Sequence, residues 1–482
     1  MKKNNFDRYL VPRPKKVEEL VGQPSILITP ETVFEVPENC MQDAAKIIRE
    51  YFKTDVAIHS VPAGDLPEEH YTLAVENGKI SIGASSVEGV RYAIVTLHQL
   101  SEAERGVLSS TRRSVPACRI EDGPARSMRV LHFCHYYESE MWEVERFIRL
   151  AAYFKYNHII MEFRGTFPFR KHPEFYWNES PADPGELKRL IRLAKELGLK
   201  VTPLQNLLGH GTGVGVGLGK HVTLGLNPQY APLWEPDGWS FCLSNPHLKG
   251  VVKDLVEEMY EFFEEPEYFH IGFDEPFNIG SCSLCRHADL DALVLDYTRF
   301  LHDILAEKNC RIMLWHDAFV DRDDPRYEGY AIPDRSQPGF FRIVKDLPRD
   351  LIFNFWQYDY SGKDGENPTW PVADDLKKMG FDVTLSPWTD RMVQNSMAKK
   401  KDPDGKLYGI IQTSWFAQKG IGNLRAIFLK GAGYCWNPDA DTDYGIGDEF
   451  TVVTYHIRNI CDSMALTDYR RTGTSQFMNF PQ

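Results

Sequence analysis

From residue 128 onward, short apolar runs alternate with longer stretches whose apolar residues recur at helical spacing. The runs are MRVLHF (128–133), HIIMEF (158–163), VTPLQ (201–205), FHIGFDE (269–275), RIMLWHD (311–317), LIFNFWQY (351–358), DVTLSPW (382–388) and GIIQTSWF (409–416). They carry little polar alternation, the pattern of strands buried on both faces. Between them, ERFIRLAAYFKY (145–156) sets Phe147, Leu150, Ala151 and Phe154 on one face. PGELKRLIRLAKELG (184–198) follows Asp183, an N-cap residue, with Pro184 at the first helical position. PHLKGVVKDLVEEMYEFF (246–263) and DLDALVLDYTRFLHDILAEK (289–308) predict longer helices, and the sixth helix is faint. Eight strand-like runs, most with an intervening helix, predict a (β/α)8 TIM barrel. An open doubly wound sheet is the rival arrangement, and it rarely needs so many units.

The earlier part of the chain lacks this alternation. SILI (25–28), VAIHS (56–60), YTLAV (71–75) and KISIGA (79–84) read as strands, and MQDAAKIIREYF (41–52) and VEGVRYAIVTLHQLSEA (87–103) as helices. This predicts a small α+β domain over residues 1–118. A turn-rich hinge, SVPACRIEDGP (114–124), leads into a barrel over 119–482 that ends in a C-terminal helix.

Composition narrows the picture. A length of 482 residues favours two domains, and 43% hydrophobic residues suffice for a large core. The net charge of −13 argues against nucleic acid or an anionic membrane as partner. No stretch reaches the roughly 18 apolar residues of a membrane span. The start MKKNNFDRYLVPRPKK is basic but has no apolar h-region, so a cytoplasmic protein is expected, or an exported one whose leader has been removed. Nine scattered cysteines, an odd number, argue against a disulfide framework and for a reducing compartment. Cys282 and Cys285 form C-x-x-C with His287 close behind; zinc would need further ligands such as Cys242 or another histidine. Without a second half at the proper spacing the pair reads as two thiols, and no metal or other cofactor is expected. The glycine-rich GHGTGVGVGLGK (209–220) reads as one loop.

Barrel enzymes carry their chemistry at the C-terminal ends of the strands. There the runs deliver Cys134 and His135; Glu162 and Arg164; Gln205, Asn206 and His210; Asp274 and Glu275; Trp315, His316 and Asp317; Trp356, Gln357 and Tyr358; Trp388 and Asp390; and Trp415. Four tryptophans at one mouth point to a pocket for a flat, amphipathic ligand, and a pyranose ring is apolar on its C–H face and polar at its rim. The sharpest feature is FHIGFDEP, an apolar strand that ends in two consecutive carboxylates. Desolvating such a pair costs several kcal/mol unless it is paired, and neighbouring like charges drive one pKa up, as a general acid requires. An N-cap with a salt bridge is the structural alternative.

At this point the chain resembles glycoside hydrolase family 20, the β-N-acetylhexosaminidases. FHIGFDE resembles the family's H-I-G-G-D-E signature, and LSNPHLKGVVKDLVEEM (243–259) its approach to that strand. VTPLQNLLGH (201–210) is similar to the strand ending in P-G-H, and FKYNHIIMEF (154–163) to the Y-K-x-N strand. LVPRPKKVEEL (10–20) and SSVEGVRYAIVTLHQL (85–100) are similar to the opening and closing segments of the family's N-terminal α+β domain. The resemblance implies an exo-acting, retaining hydrolase that releases terminal β-linked N-acetylhexosamine (GlcNAc or GalNAc), with the substrate's acetamido group as nucleophile and an oxazolinium intermediate. Glu275 would be the acid/base and Asp274 the residue that holds the acetamido group. Trp315, Trp356 and Trp415 would wall the sugar, with His210 beside it. Asp317, Trp388 and Tyr358 are further substrate-binding candidates from the strand ends. No cofactor is implied, the partner is a carbohydrate or glycoconjugate, and a monomer or homodimer is expected.

The sequence also departs from the family. In RSMRVLHFC (126–134), Leu131 and Cys134 stand where the pattern R-G-x-x-L-D-x-x-R has aspartate and the second arginine, which leaves Arg164 or His135 as the replacement hydroxyl anchor. FAQKG (416–420) stands where the family often has a sugar-binding glutamate. Three alternatives follow: a glycosidase of this fold for a modified or different sugar, a carbohydrate-binding pseudo-enzyme, or a metal-dependent hydrolase built on His210, His316 and Asp317.

Overall fold

The computed structural model describes residues 9–103, 112–136, 139–175, 182–211, 227–331, 338–360, 368–403, 407–415, 425–440, 451–453, 455–457 and 460. Most of the 209–220 loop, the basic first eight residues and the FAQKG segment lie outside them.

Two compact units are present. The first runs to Ser127 and takes in Tyr153–Lys155 and the described residues from Phe428 onward. Its strands are β1 (Lys16–Glu19), β2 (Ile26–Leu27), β3 (Val33–Pro37), β4 (Ala57–Val61), β5 (Tyr71–Glu76), β6 (Lys79–Ala84), β7 (Glu102–Ala103), β8 (Arg113–Val115) and β9 (Cys118–Asp122). Six of them form a sheet in the order β1-β9-β5-β6-β3-β4, and β2-β8-β7 form a second. The helices Met41–Phe52 and Val87–Leu100 share the apolar core with the large sheet. Segment 114–124, expected as a hinge, instead supplies β8 and β9. Its Pro116, Gly123 and Pro124 read as turns. Yet Cys118, Ile120 and Asp122 are buried while Arg119 and Glu121 are exposed, the two-residue period of a half-buried strand.

The second unit is a closed parallel barrel of eight strands in sequence order. They are β10 (Arg129–His135), β11 (His158–Phe163), β12 (Lys200–Leu204), β13 (Tyr268–His270), β14 (Arg311–Trp315), β15 (Ile352–Trp356), β16 (Asp382–Ser386) and β17 (Leu407–Gln412). Helices Met141–Tyr153, Pro184–Glu196, Leu248–Phe262 and Leu290–Ala306 follow the first four strands. Asp183 caps its helix as the sequence predicts, its side chain accepting the Glu186 N–H. After β14 the described chain forms only short 3-10 turns, and the helix after β15, Pro371–Lys378, is brief. Among the described residues, no helix is long and apolar enough to cross a membrane.

The barrel interior becomes more polar toward the strand ends. Val130, Ile160, Leu204, Met313, Ile352 and Ile411 fill it lower down. Above them, Glu162 Oε2 lies 2.8 Å from His132 Nε2, and Glu162 Oε1 accepts from Asn206 Nδ2 at 2.8 Å. Such buried polar groups are tolerable because they satisfy one another. They form the floor on which the upper layer rests.

Candidate active site

β13 leaves the sheet early. Its regular strand ends at His270, and main-chain bonds to β14 last only as far as the Gly272 carbonyl, which accepts from the Trp315 N–H at 2.8 Å. Gly272, Phe273 and Glu275 all adopt positive φ (71°, 77° and 44°). For Phe273 and Glu275 this costs about 1–3 kcal/mol each, so the surroundings must hold it. They do so closely. The Glu275 N–H donates to Asp317 Oδ2 at 2.9 Å, and its carbonyl accepts from Trp239 Nε1 at 2.7 Å. The turn thereby points two adjacent carboxylates into one space: Asp274 is only 7% exposed, while the Glu275 side chain is 35% exposed.

His210, itself at φ 53°, reaches both. Its Nε2 lies 3.3 Å from Asp274 Oδ2 and 3.2 Å from Glu275 Oε2. Burial would lower the imidazole's pKa, but the Asp274 charge and hydrogen bonds to both carboxylates overcome it and raise the pKa to about 9. Burial in turn would raise Asp274, yet His210 and Arg164 pull it below the ordinary carboxylate value. Asp274 is thus held as a carboxylate. Asp317 goes the other way: burial and then the Asp274 charge raise it to about 7, although it accepts from the Glu275 N–H and from Trp356 Nε1 (2.9 Å).

Arg164 immediately follows β11, two strands away from β13. Cys134 of β10 pairs in register with Glu162 of β11, so Arg164 projects from the same face one pleat higher. Its Nε lies 2.5 Å from Glu162 Oε1, and its guanidinium carbon sits 5.5 Å from the Trp415 ring centroid. Burial raises the Cys134 thiol, and the Glu162 carboxylate 3.3 Å away pushes it further, so it is no nucleophile.

The remaining wall is aromatic. Tyr358 contacts Trp356, Trp388 and Trp415 at centroid distances of 5.0, 5.7 and 6.2 Å. Trp415 reaches the fully buried Trp315 at 5.8 Å. The ten residues singled out in the sequence therefore form one run of contacts: Asp274, Glu275, His210, Asp317, Trp356, Tyr358, Trp388, Trp415, Trp315 and Arg164. Several of their polar atoms are buried without a hydrogen-bond partner among the described residues, namely Asp274 Oδ1, Arg164 Nη1 and the indole nitrogens of Trp315, Trp388 and Trp415. Orphaned donors and acceptors at this density are costly unless a polar ligand meets them.

Other strand-end residues go elsewhere. His135 Nδ1 pairs with Thr166 Oγ1 at 2.8 Å. Tyr360, two residues beyond Tyr358, packs against Tyr330 and Trp370. His316 packs on Phe355 and accepts from the Trp356 N–H, so it does not join His210 and Asp317 in a metal cluster. One donor atom each from His210, Asp274 and Glu275 does converge within 4.8 Å. The protonated imidazole already supplies the positive charge there.

Trp239 escaped the sequence reading. Besides holding the Glu275 carbonyl, its ring lies 4.2 Å from His210 and stacks on Phe277 at 5.6 Å. It sits deep in the loop after β12, where no strand period marks it. The only available signal was its place in an aromatic-rich turn, GWSF (238–241).

Comparison with known proteins agrees with this architecture. The family described as glycosyl hydrolase family 20, domain 2, matches residues 7–123, and the glycosyl hydrolase family 20 catalytic domain matches residues 173–387. A β-hexosaminidase of Porphyromonas gingivalis is 26% identical over 248 residues, which cover 46% of this chain and 31% of that protein. Hexosaminidase D of Bos taurus is 23% identical over 273 residues, 54% of this chain and 75% of the relative. Among solved structures, a GH20 exo β-N-acetylglucosaminidase from Vibrio harveyi, in complex with N-acetylglucosamine, superposes with a TM-score of 0.67 at 17% identity, over 94% of this chain and 77% of that one. An N-acetyl-β-hexosaminidase of Streptomyces plicatus gives 0.65 at 18% identity, over 95% and 96%. At such identities the structural likeness speaks for the fold. The chain spans about a third of the Porphyromonas gingivalis relative's length.

Proposed function

Because the chain belongs to glycoside hydrolase family 20, we propose that it is an exo-acting, retaining glycosidase that releases terminal β-linked N-acetylhexosamine by substrate-assisted catalysis. The observation that carries this reading is the division of labour between adjacent carboxylates. Asp274 is buried and held ionised between His210 and Arg164. Glu275 is the more exposed and is fixed through its backbone by Asp317 and Trp239.

In the proposed reaction the acetamido carbonyl oxygen attacks C1 as the glycosidic bond breaks. Glu275 gives its proton to the departing oxygen. Asp274 accepts a hydrogen bond from the acetamido N–H and stabilises the positive charge that spreads over the oxazolinium ring. Water, deprotonated by Glu275, then opens that ring at C1 with net retention. No protein atom bonds to the sugar.

The aromatic wall suits the sugar's apolar face and the acetamido methyl. Tyr358 is well placed among three tryptophans to donate to the acetamido oxygen, since burial keeps its hydroxyl protonated. Arg164, with Nη1 free of a hydrogen bond among the described residues, takes the role of hydroxyl anchor that Cys134 cannot fill. The same change favours, as a second reading, a modified sugar at the position the family's arginine would hold.

The test compares kcat/KM for p-nitrophenyl β-N-acetylglucosaminide, its galacto epimer and the plain β-glucoside. Turnover of the acetamido sugars alone supports the proposal. Cleavage of the plain glucoside at a similar rate, or of none of the three, overturns it.

A further inference from the structure

A second constellation lies beyond the catalytic pair. The C-x-x-C of Cys282 and Cys285 is joined in space by Cys242, from the loop after β12. Cys242 Sγ lies 3.4 Å from Cys282 Sγ and 3.5 Å from Cys285 Sγ. Glu235 from the same loop completes the group: four donor atoms, one from each residue, fall within 4.8 Å of one another. Cys242, Cys285 and Glu235 are each only 1% exposed.

We propose that these four residues bind one thiophilic divalent cation of the zinc class, which fastens two catalytic loops together. Three lines of geometry point there. First, tetrahedral Zn–S bonds of about 2.3 Å put sulfurs about 3.8 Å apart. The two measured separations are within a few tenths of that and far from the roughly 2.05 Å of a disulfide. Second, a disulfide would join two of the three sulfurs and strand the third beside a buried carboxylate, whereas a cation uses all four groups. Third, the surrounding hydrogen bonds are those that orient ligands and soften their negative charge. The Cys285 N–H donates to Cys282 Sγ at 3.3 Å, closing the C-x-x-C turn, and Ser244 Oγ lies 3.2 Å from Cys285 Sγ. Glu235 Oε1 accepts from the Gly280 N–H at 3.1 Å, and Oε2 from the Cys282 N–H at 2.6 Å and Ser281 Oγ at 3.2 Å. Oε1, with a single hydrogen bond, keeps a lone pair for a metal, while Oε2 is held by its two donors. On binding, the three thiols release their protons to solvent.

The site bears on catalysis through position alone. The loop that provides Glu235 and Cys242 also carries Trp239 and Ser240, which donate to the carbonyls of Glu275 and Phe277. The other loop begins at Glu275 itself. An ion here would brace the strained Glu275 backbone through these two hydrogen bonds.

The protein purified without chelators is to be analysed for metals by mass spectrometry, then loaded with cobalt(II) and followed by absorption. The proposal predicts about one zinc-class ion per chain, as one four-ligand site implies. It also predicts a thiolate-to-cobalt charge-transfer band with tetrahedral d–d bands. Cys242→Ser, Cys282→Ser and Cys285→Ser each abolish that band, and Glu235→Gln weakens retention of the ion under dialysis. Cobalt bound without a thiolate band, no metal bound even after incubation with zinc or cobalt, or a disulfide among the three cysteines in the intact-protein mass would each overturn it. The wild-type spectrum decides even if a serine variant fails to fold.

Discussion

His210 is the hinge of the site's electrostatics, because one ring nitrogen serves two carboxylates. Its pKa rises from 6.5 to about 9. Stability from this pairing is therefore whole below pH 6.5 and lost as the pH climbs through 9. The thermal midpoint should fall between pH 7 and 10 in the wild type, and that part of the fall should vanish in His210→Gln; an unchanged slope refutes the assignment. The carboxylates should separate kinetically. Glu275→Gln should lower kcat/KM, which reports the step that expels the leaving group, roughly 10²–10⁴-fold on glycosides with poor leaving groups, the usual worth of a general acid. The loss should be far smaller with p-nitrophenolate, which departs without protonation. Asp274→Asn should cost about 10²–10³-fold on both kinds of substrate, since it weakens charge stabilisation rather than proton transfer. Equal sensitivity of the two variants to the leaving group would contradict these roles. The adjacent acids could be read from FHIGFDE, because charge at the end of an apolar strand is conspicuous. The grip of Trp239 on the Glu275 carbonyl could not: it depends on how a long loop returns, and local pattern carries no trace of that.

At the level of elements, the barrel was legible because strands buried on both faces leave nearly unbroken apolar runs. Its fourth strand shows where such reading stops. FHIGFDE looks like a seven-residue strand, yet the regular strand ends at His270, the last main-chain bond to β14 is at Gly272, and positive φ at Gly272, Phe273 and Glu275 turns the chain into the site. Period-two patterns report side-chain faces but not the backbone sign that ends a strand. The β9 segment failed in the opposite sense, its alternation masked by neighbouring prolines and glycine. The turn at β13 also depends on a glycine of the adjoining loop. A Cβ on Gly209 would sit 2.0 Å from the Asp274 carbonyl oxygen and 2.8 Å from that of Glu275. Gly209→Ala must therefore move the catalytic backbone, and displacement on the ångström scale costs about 100-fold. Its kcat should fall by that order while the protein stays folded by circular dichroism; near-wild-type kcat would show that the turn yields freely.

On the scale of the whole molecule, the first unit is assembled from distant parts of the chain. Lys155 Nζ, fully buried, lies 3.2 Å from Asp122 Oδ2 and 4.4 Å from the Trp436 ring, whose Nε1 donates to the same carboxylate at 2.9 Å. Tyr71 donates to Asp122 as well, at 2.8 Å. Asp122→Ala would take away the carboxylate 3.2 Å from a buried ammonium, a loss of about 3–5 kcal/mol. Calorimetry should show a clearly lower unfolding temperature, and an unchanged one would mean that the chain rearranges to hydrate Lys155. For the protein as a catalyst, the central claim is that the substrate supplies its own nucleophile. The direct measurement is kcat/KM for p-nitrophenyl β-glycosides whose acetamido methyl carries zero, one, two or three fluorines. Each fluorine drains electron density from the carbonyl oxygen, so substrate assistance predicts a steep, progressive fall across the series; a flat series would contradict it and move the nucleophile to the protein or to water.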